Sequence, residues 1–328
     1  MPTIDIALAS YNGEKYIEEQ IQSILANKIG VPDFTLGSII VSDNMSTDRT
    51  PEIVRELGRQ YPNVRLTLND KRGVINNFNH ALMSSEADYI MLSDQDDIWL
   101  DNKIRVSLQR LLELETQAGK DCPLLVFTDL RVTDSRLNTI SPSFFSSQKI
   151  KPEGYRFPKN IFLSNVAPGC TMMINRKLLE LALPVPAEAV MHDWWLILVA
   201  SSFGQVSHLS EQTILYRQHE NNQVGAKSRR YRDMIFSPRQ KYHMARSSLE
   251  NAGIQAKAFR ERFPSLPAKC VDAITYLTNF KQMSKYRRVC GLRQKQIENR
   301  TFFGTVILYL LALTLPRSDR SSQPSIQR

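Results

Sequence analysis

The stretch Tyr89-Ile90-Met91-Leu92-Ser93-Asp94-Gln95-Asp96-Asp97-Ile98-Trp99 passes from apolar, strand-like residues into three carboxylates within four positions, then into a large aromatic. An unpaired charge buried in a strand costs several kcal/mol of desolvation. The acids therefore belong at the strand's C-terminal end, where an open α/β sheet places its ligands. One aspartate would be enough to cap a following helix. Three exceed that need, and they repel one another unless something positive sits among them. A hard divalent cation carrying phosphates is the natural occupant, because such ions take oxygen ligands and use only one or two protein carboxylates.

The chain around this stretch repeats one unit. Residues 3–9 are a short apolar strand, Ser10-Tyr11-Asn12-Gly13 a turn cluster, and Tyr16, Ile17, Ile21, Ile24 and Leu25 recur at helical spacing. Residues 36–42 read as a second strand, Asp43-Asn44-Met45-Ser46 as a loop, and Thr47 to Glu52 as a helix start. Residues 64–68, the basic turn Lys71-Arg72-Gly73 and the pattern over 74–83 form a third unit. Residues 87–92, the acids and a periodic helix over 102–115 form a fourth. Strands alternating with helices predict a parallel, doubly wound α/β sheet. Helical crossovers bring each strand's C-terminal end to one side, so residues 10–13, 43–46, 72–73 and 94–97 should meet on one rim.

After Cys122 the pattern loosens. Residues 124–128 and 169–174 are strand-like and flank a polar, Ser/Pro-rich passage over 138–158, which reads as a loop or a lid. Met191-His192-Asp193-Trp194-Trp195 opens an apolar helix to Phe203. A strand over 212–216 leads into Arg217-Gln218-His219-Glu220-Asn221-Asn222. Beyond residue 226 the sequence turns to helices rich in Lys and Arg. That change divides the chain into a domain over 1–226 and a basic helical extension over 227–328.

The 328 residues are 42% hydrophobic and 23% charged, which is ordinary globular composition. A net charge of +9 invites a polyanion: nucleic acid, an anionic membrane or a phosphorylated ligand. Nucleic-acid binding calls for aromatics interleaved with basic residues and no acidic rim. Tyr231, Tyr242 and Tyr286 supply some interleaving, but the rim argues against it. Cys122, Cys170, Cys270 and Cys290 show no Cys-x-x-Cys spacing and read as reduced residues of a cytoplasmic protein. The N-terminus enters a strand without a basic leader, so no signal peptide is expected.

Taken singly, the remaining motifs each have a plain alternative. Ser10-Tyr11-Asn12-Gly13 is a common turn composition. Asp43, directly after a buried strand, can accept hydrogen bonds from a base edge or a ribose. Arg72-Gly73 offers a cation and a backbone that approaches phosphate closely. Asp193 is either a helix cap or a general base. Trp194 and Trp195 lean to different faces of one helix, so at most one is wholly core and the other can face a sugar ring. His219, one of five histidines, is either structural or a diphosphate or metal contact.

In combination and in order, these motifs resemble family 2 glycosyltransferases, in their bacterial rhamnosyltransferase-like branch, over residues 2–222. The resemblance implies a GT-A fold, a mostly parallel sheet flanked by helices. It also implies inverting transfer from a nucleotide diphosphate sugar, dTDP- or UDP-linked, with Mg or Mn. Ser10, Tyr11, Asn12, Asp43, Arg72 and Asp94 would then bind the nucleotide, and Asp94-Gln95-Asp96 would be the DXD motif. Asp96, with His219, would hold the metal, and Asp193 would be the base. Trp99, Trp194 and Trp195 would form the acceptor and sugar pocket. Two departures stand out. His192 replaces the first acid of the family's Glu-Asp pair, and Asp43-Asn44-Met45-Ser46 replaces Asp-Asp-Gly-Ser.

Residues 302–315 are apolar but shorter than the roughly 20 residues that cross a bilayer. Behind a basic stretch, they read as a helix lying on an anionic membrane surface. The alternatives are packing on the catalytic domain or a homo-oligomer contact. The expectation is a glycosyltransferase peripheral to the inner face of the cell membrane, using a lipid-linked saccharide acceptor. Its alternatives are a polyprenyl-phosphate sugar synthase and a non-catalytic nucleotide-sugar binding module.

Overall fold

The computed structural model describes residues 1–219, 238–297 and 302–317. The strands β1 (Thr3–Ser10), β2 (Thr35–Asp43), β3 (Val64–Leu68) and β4 (Tyr89–Asp94) alternate with α1 (Ile17–Leu25), α2 (Thr50–Gln60) and α3 (Val74–Met83). They lie side by side as β3-β2-β1-β4, all parallel. Ser10 pairs with Asp43 and Ala9 with Asp94, so the loop ends are level along one edge. The convergence expected from the alternation is present.

Both faces of these strands are buried, as parallel sheets require. Ile4, Ile6, Leu8, Ile39, Val41 and Met91 meet Ile17, Ile21 and Ile24 of α1 and Val54 and Leu57 of α2. Ala7, Ile90 and Leu92 point the other way, onto Phe78, Ala81 and Leu82 of α3. The alternation along each strand therefore sorts residues between two apolar layers.

Beyond β4 come β5 (Ile98–Trp99), α4 (Lys103–Ala118), β6 (Leu124–Thr133), β7 (Thr139–Ser141), α5 (Phe144–Ser147) and α6 (Pro158–Ile161). They are followed by β8 (Met172–Asn175), α7 (Arg176–Ala182), α8 (His192–Phe203) and β9 (Gln205–Arg217). The passage expected as a loop thus carries short elements of its own. The sheet is parallel only in its first half. β8 inserts antiparallel between β4 and β6, β9 runs parallel to β6, and β5 pairs antiparallel with β9. The direction of β8 has a consequence for the site. It enters the sheet from the rim, so Gly169–Thr171, the 3-10 turn before it, lies beside the acids.

The C-terminal helices are α9 (Pro238–Arg262), α10 (Ala268–Asn279), α11 (Lys285–Gln294) and α12 (Phe302–Thr314). Ala252, Ala256 and Phe259 of α9, Phe263 just after it, and Ile274 and Leu277 of α10 share one apolar layer with Trp195 and Val199 of α8. The extension is thereby packed into the core of the preceding chain. The boundary expected at residue 226, the basic residues 227–232 and the polar tail from 318 lie outside the described residues. In α12, Leu308, Leu311 and Ala312 face inward, while Val306, Leu310 and Leu313 are 40%, 48% and 48% exposed. The segment therefore packs on protein along one side and leaves an apolar stripe on the other. Among the described residues no helix is long and apolar enough to cross a membrane.

One buried cation closes this end of the molecule. The Arg288 guanidinium donates to the carbonyls of Phe280 (2.8 Å), Lys281 (2.7 Å), Leu315 (2.6 Å) and Pro316 (3.2 Å). It satisfies carbonyls at the end of α12 that the helix itself leaves open. Replacing it by methionine, Arg288→Met, keeps the bulk and strands the buried carbonyls of Phe280 and Leu315. The expected cost is at least about 3 kcal/mol, read as a lowered melting temperature with early proteolysis in α12. Wild-type melting would contradict the assignment.

Candidate active site

The rim loops are tied to one another by side-chain hydrogen bonds. Ser10 Oγ donates to Asp43 Oδ1 at 3.0 Å, and Asp43 also accepts from Ser46 N at 2.9 Å and Ser46 Oγ at 2.6 Å. Asp43 is fully buried, and those bonds occupy most of its acceptor sites. It holds the loop over residues 43–46 against the end of β1. Asn12 accepts from Thr47 N at 2.9 Å, and Tyr11 exchanges backbone bonds with the Gln95 amide at 2.8 and 3.0 Å. Arg72 is exposed at the mouth beside Gly73.

The two changes in the second loop now have physical meanings. Asn44 Oδ1 accepts from Gly73 N at 2.9 Å, and its Nδ2 donates to the carbonyls of Asn69 and Lys71. A carboxylate there could accept from Gly73 but could not donate. Met45 sits at φ +61°, a left-handed position that suits glycine.

The acids gather at the end of β4. Oxygens of Asp94 and Asp97 and the Cys170 sulfur lie within 4.8 Å of one another. Asp96 Oδ2 is 2.8 Å from His219 Nε2. Arg217 braces the group. Its backbone N–H donates to Asp97 Oδ1 at 3.2 Å, and its side chain reaches Asp96 O at 3.0 Å and Glu19 Oε2 at 2.6 Å. Lys103 lies beneath, fully buried, with Nζ 3.0 Å from Cys170 O and 4.6 Å from the Trp99 ring. Burial, then the charges of Asp96 and Asp193, push the Asp94 carboxyl up to about 7. Asp97 is driven well above the usual range by burial and then by Asp96 and Asp94. Burial lowers Lys103 to about 8.

Asp193 stands at the start of α8, where Gly169 N donates to its Oδ2 at 3.0 Å and Trp194 N to its Oδ1 at 2.6 Å. Burial lifts its carboxyl to about 6. Gly169 has no room for a side chain. A Cβ there would come within 2.9 Å of His192 Nε2 and 3.1 Å of Asp193 Cβ. One turn thus joins the two halves of the site: Gly169 holds Asp193, and the adjoining Cys170 touches Asp94 and Asp97.

Two of the three tryptophans expected in a sugar pocket are elsewhere. Trp99 is 3% exposed and belongs to the core beneath the acids. Trp195 is fully buried, stacked on Phe263, and its Nε1 donates to Ala182 O at 3.0 Å. Helical phase decides between the neighbours, since one of two adjacent side chains must turn inward. Trp194 is half-buried, held by the Ile161 carbonyl, and borders a cleft of about 430 Å³ with Val190, His243 and Asn251. Lys103, Cys170 and Gly169 were not singled out from sequence. A signal existed for Lys103, which shares the buried stripe of Ser107, Leu111 and Leu114 along α4.

The chain matches the family model described as glycosyl transferase family 2 over residues 5–181. The chain belongs to that family. It is 33% identical over 233 residues to the dTDP-rhamnosyl transferase RfbG of Shigella flexneri, covering 67% of this chain and 74% of that protein. It is 26% identical to the UDP-Glc:alpha-D-GlcNAc-diphosphoundecaprenol beta-1,3-glucosyltransferase WfgD of Escherichia coli, over 54% of this chain and 62% of that one. Among solved structures it is similar to S. aureus TarS 1-349 in complex with UDP-GlcNAc, with a TM-score of 0.52 and 16% identity, over 95% of this chain and 90% of that one. That likeness shows the GT-A fold, and family membership makes the protein a glycosyltransferase.

The raised carboxyls set a pH dependence. Asp94 rises from 3.8 to about 7 and Asp193 from 3.8 to about 6, so between those limits the folded chain keeps protons that the unfolded chain has released. Their contribution to stability is therefore present at low pH and lost as pH climbs toward 7. Without divalent cations, Asp94→Asn should show a shallower fall in melting temperature than wild type from about pH 5 to about pH 8. Equal slopes would contradict the burial of that charge.

Proposed function

We propose that this family 2 enzyme is an inverting, Mg- or Mn-dependent transferase. It moves a sugar, rhamnose in the first instance, from a dTDP- or UDP-linked donor to a saccharide acceptor in cell-surface polysaccharide assembly. The observation that carries this reading is the Gly169-Cys170 link, which sets one half-buried carboxylate, Asp193, beside an acid cluster on a separate loop. Inverting displacement calls for that division, with a base at the acceptor and a stabiliser at the leaving diphosphate.

Asp193 takes the proton of the acceptor hydroxyl as its oxygen attacks the anomeric carbon and the bond to the diphosphate breaks. Two backbone N–H groups fix the carboxylate, and burial raises its proton affinity toward neutrality. The donor set at the rim fits a hard cation. Asp94 and Asp96 offer oxygen, His219 offers nitrogen next to Asp96, and burial keeps the Cys170 thiol protonated. Asp96 with His219 would hold the ion, which when bound supplies Lewis-acid charge to the departing phosphate oxygens. Ser10, Tyr11, Asn12, Asp43, Arg72 and Asp94 shape the nucleotide side. Similarity to a dTDP-rhamnosyl transferase favours a dTDP-linked donor.

The outer stripe of α12, Val306, Leu310 and Leu313, lies in a helical region that also exposes Lys285, Tyr286 and Arg287 on α11. Apolar residues with basic neighbours favour peripheral contact with an anionic membrane. Such contact, at the inner face of the cell membrane, fits a lipid-linked acceptor.

Asp193→Asn tests the reading. With a panel of nucleotide sugars and Mn, wild-type turnover should rise with pH through about 6. The variant should lose roughly 10²–10⁴-fold in kcat while binding the nucleotide diphosphate like wild type. A variant that keeps its turnover would refute Asp193 as the base.

A further inference from the structure

His192 is a buried polar side chain without a visible purpose. Its ring stacks on Phe78 at 3.7 Å with an interplanar angle of 16°, and the residue is 5% exposed. Neither Nδ1 nor Nε2 has a hydrogen-bond partner among the described residues. Burial lowers its proton affinity to about 3, so the ring is neutral at ordinary pH, with one donor and one acceptor nitrogen. An orphaned buried polar group works against folding, whereas phenylalanine in the same place would stack equally well with nothing left unpaired.

The position of the ring suggests what the missing partner is. His192 precedes the base Asp193, and its Nε2 lies against Gly169, whose N–H holds that base. Its stacking partner Phe78 is on α3, the helix that begins at the Arg72-Gly73 corner of the nucleotide rim and whose Asn77 donates to Ser10 O at 3.0 Å. The imidazole thus stands between Asp193 and α3, the helix that reaches the loop end at Ser10.

We propose that His192 reads the donor sugar, its neutral ring exchanging a hydrogen bond with a hydroxyl of the transferred hexose or deoxyhexose. This rests on the glycosyltransferase reading of the site and deepens it. Both ring nitrogens are closed to solvent, so the contact forms when the Gly169–Thr171 turn shifts on donor binding. The same shift adjusts Asp193, which hangs from that turn. His192 is accordingly a specificity and positioning residue: the site keeps an unpaired polar group in the free enzyme so that only a sugar with a hydroxyl in the right place completes it.

His192→Phe and His192→Gln test this, with dTDP and dTDP-rhamnose as probes. Without ligand, His192→Phe should melt at or above the wild-type temperature, by up to about 2–4 °C. It should bind dTDP like wild type and show a KM for dTDP-rhamnose raised at least about tenfold. His192→Gln, which restores a donor and an acceptor, should recover most of that loss. A His192→Phe enzyme with wild-type KM and kcat would overturn the proposal, as would a loss of dTDP affinity equal to the loss in KM. If His192→Phe does not fold, a His192→Gln enzyme with KM raised as far as that of His192→Ala overturns it instead. Failure of wild type to turn over any nucleotide sugar would sink the glycosyltransferase reading, a result distinct from each of these.

Discussion

The charge of Asp96 raises the proton affinity of Asp94, and Asp96 and Asp94 together raise that of Asp97, largely out of water. Crowding like charges in a low-dielectric setting is tolerable only if cations and N–H groups meet them. The structure supplies Arg217 from the end of β9, Lys103 from the first turn of α4 and His219 just beyond β9. Lys103 is itself costly, a buried cation at the positive end of a helix dipole. Its placement makes sense only as a counter-charge to the acids above it. Lys103 lies beside Asp97, the Arg217 backbone N–H donates to the same carboxylate, and His219 pairs with Asp96.

Topology delivers these pieces together. The four parallel strands set three loops level, and the antiparallel entry of β8 brings Gly169 and Cys170 to the same edge. The parallel run of β9 along β6 returns Arg217 and His219 there from the far side of the sheet. Residues nearly 200 positions apart, Glu19 and Arg217, meet at 2.6 Å as a result. Asp193 and the acid cluster share a field, since Asp193 is one of the charges that raise Asp94.

Much of this was legible before any coordinates. Short apolar runs followed by period-3.6 helices marked β1 to β4, and the rim followed from the crossover rule. The acids, Asp43 and Asp193 announced themselves by standing directly after apolar runs or at a helix start. What escaped is what pattern does not encode. The four residues of β8 are too short to show a direction, and the polar first half of β9 hides a strand. Lys103 looks like a surface lysine unless its helical phase is followed. The tryptophans misled for a related reason: Trp99 and Trp195 have the composition of a sugar platform, but packing density at the centre claimed them. Met45 is the converse, a residue unsuited to its left-handed backbone that marks where the loop must turn.

The deciding fact is where a divalent cation and a diphosphate settle. Crystals soaked with Mn and dTDP, measured for anomalous scattering, decide this most directly. The expected map has a Mn peak on the Asp96 carboxylate, with the terminal phosphate turned toward the Gly169 turn and Asp193. A peak at the deeper Asp97–Cys170 pair with the nucleotide elsewhere, or a diphosphate bound on the far side of Asp193 from Asp96, would contradict it.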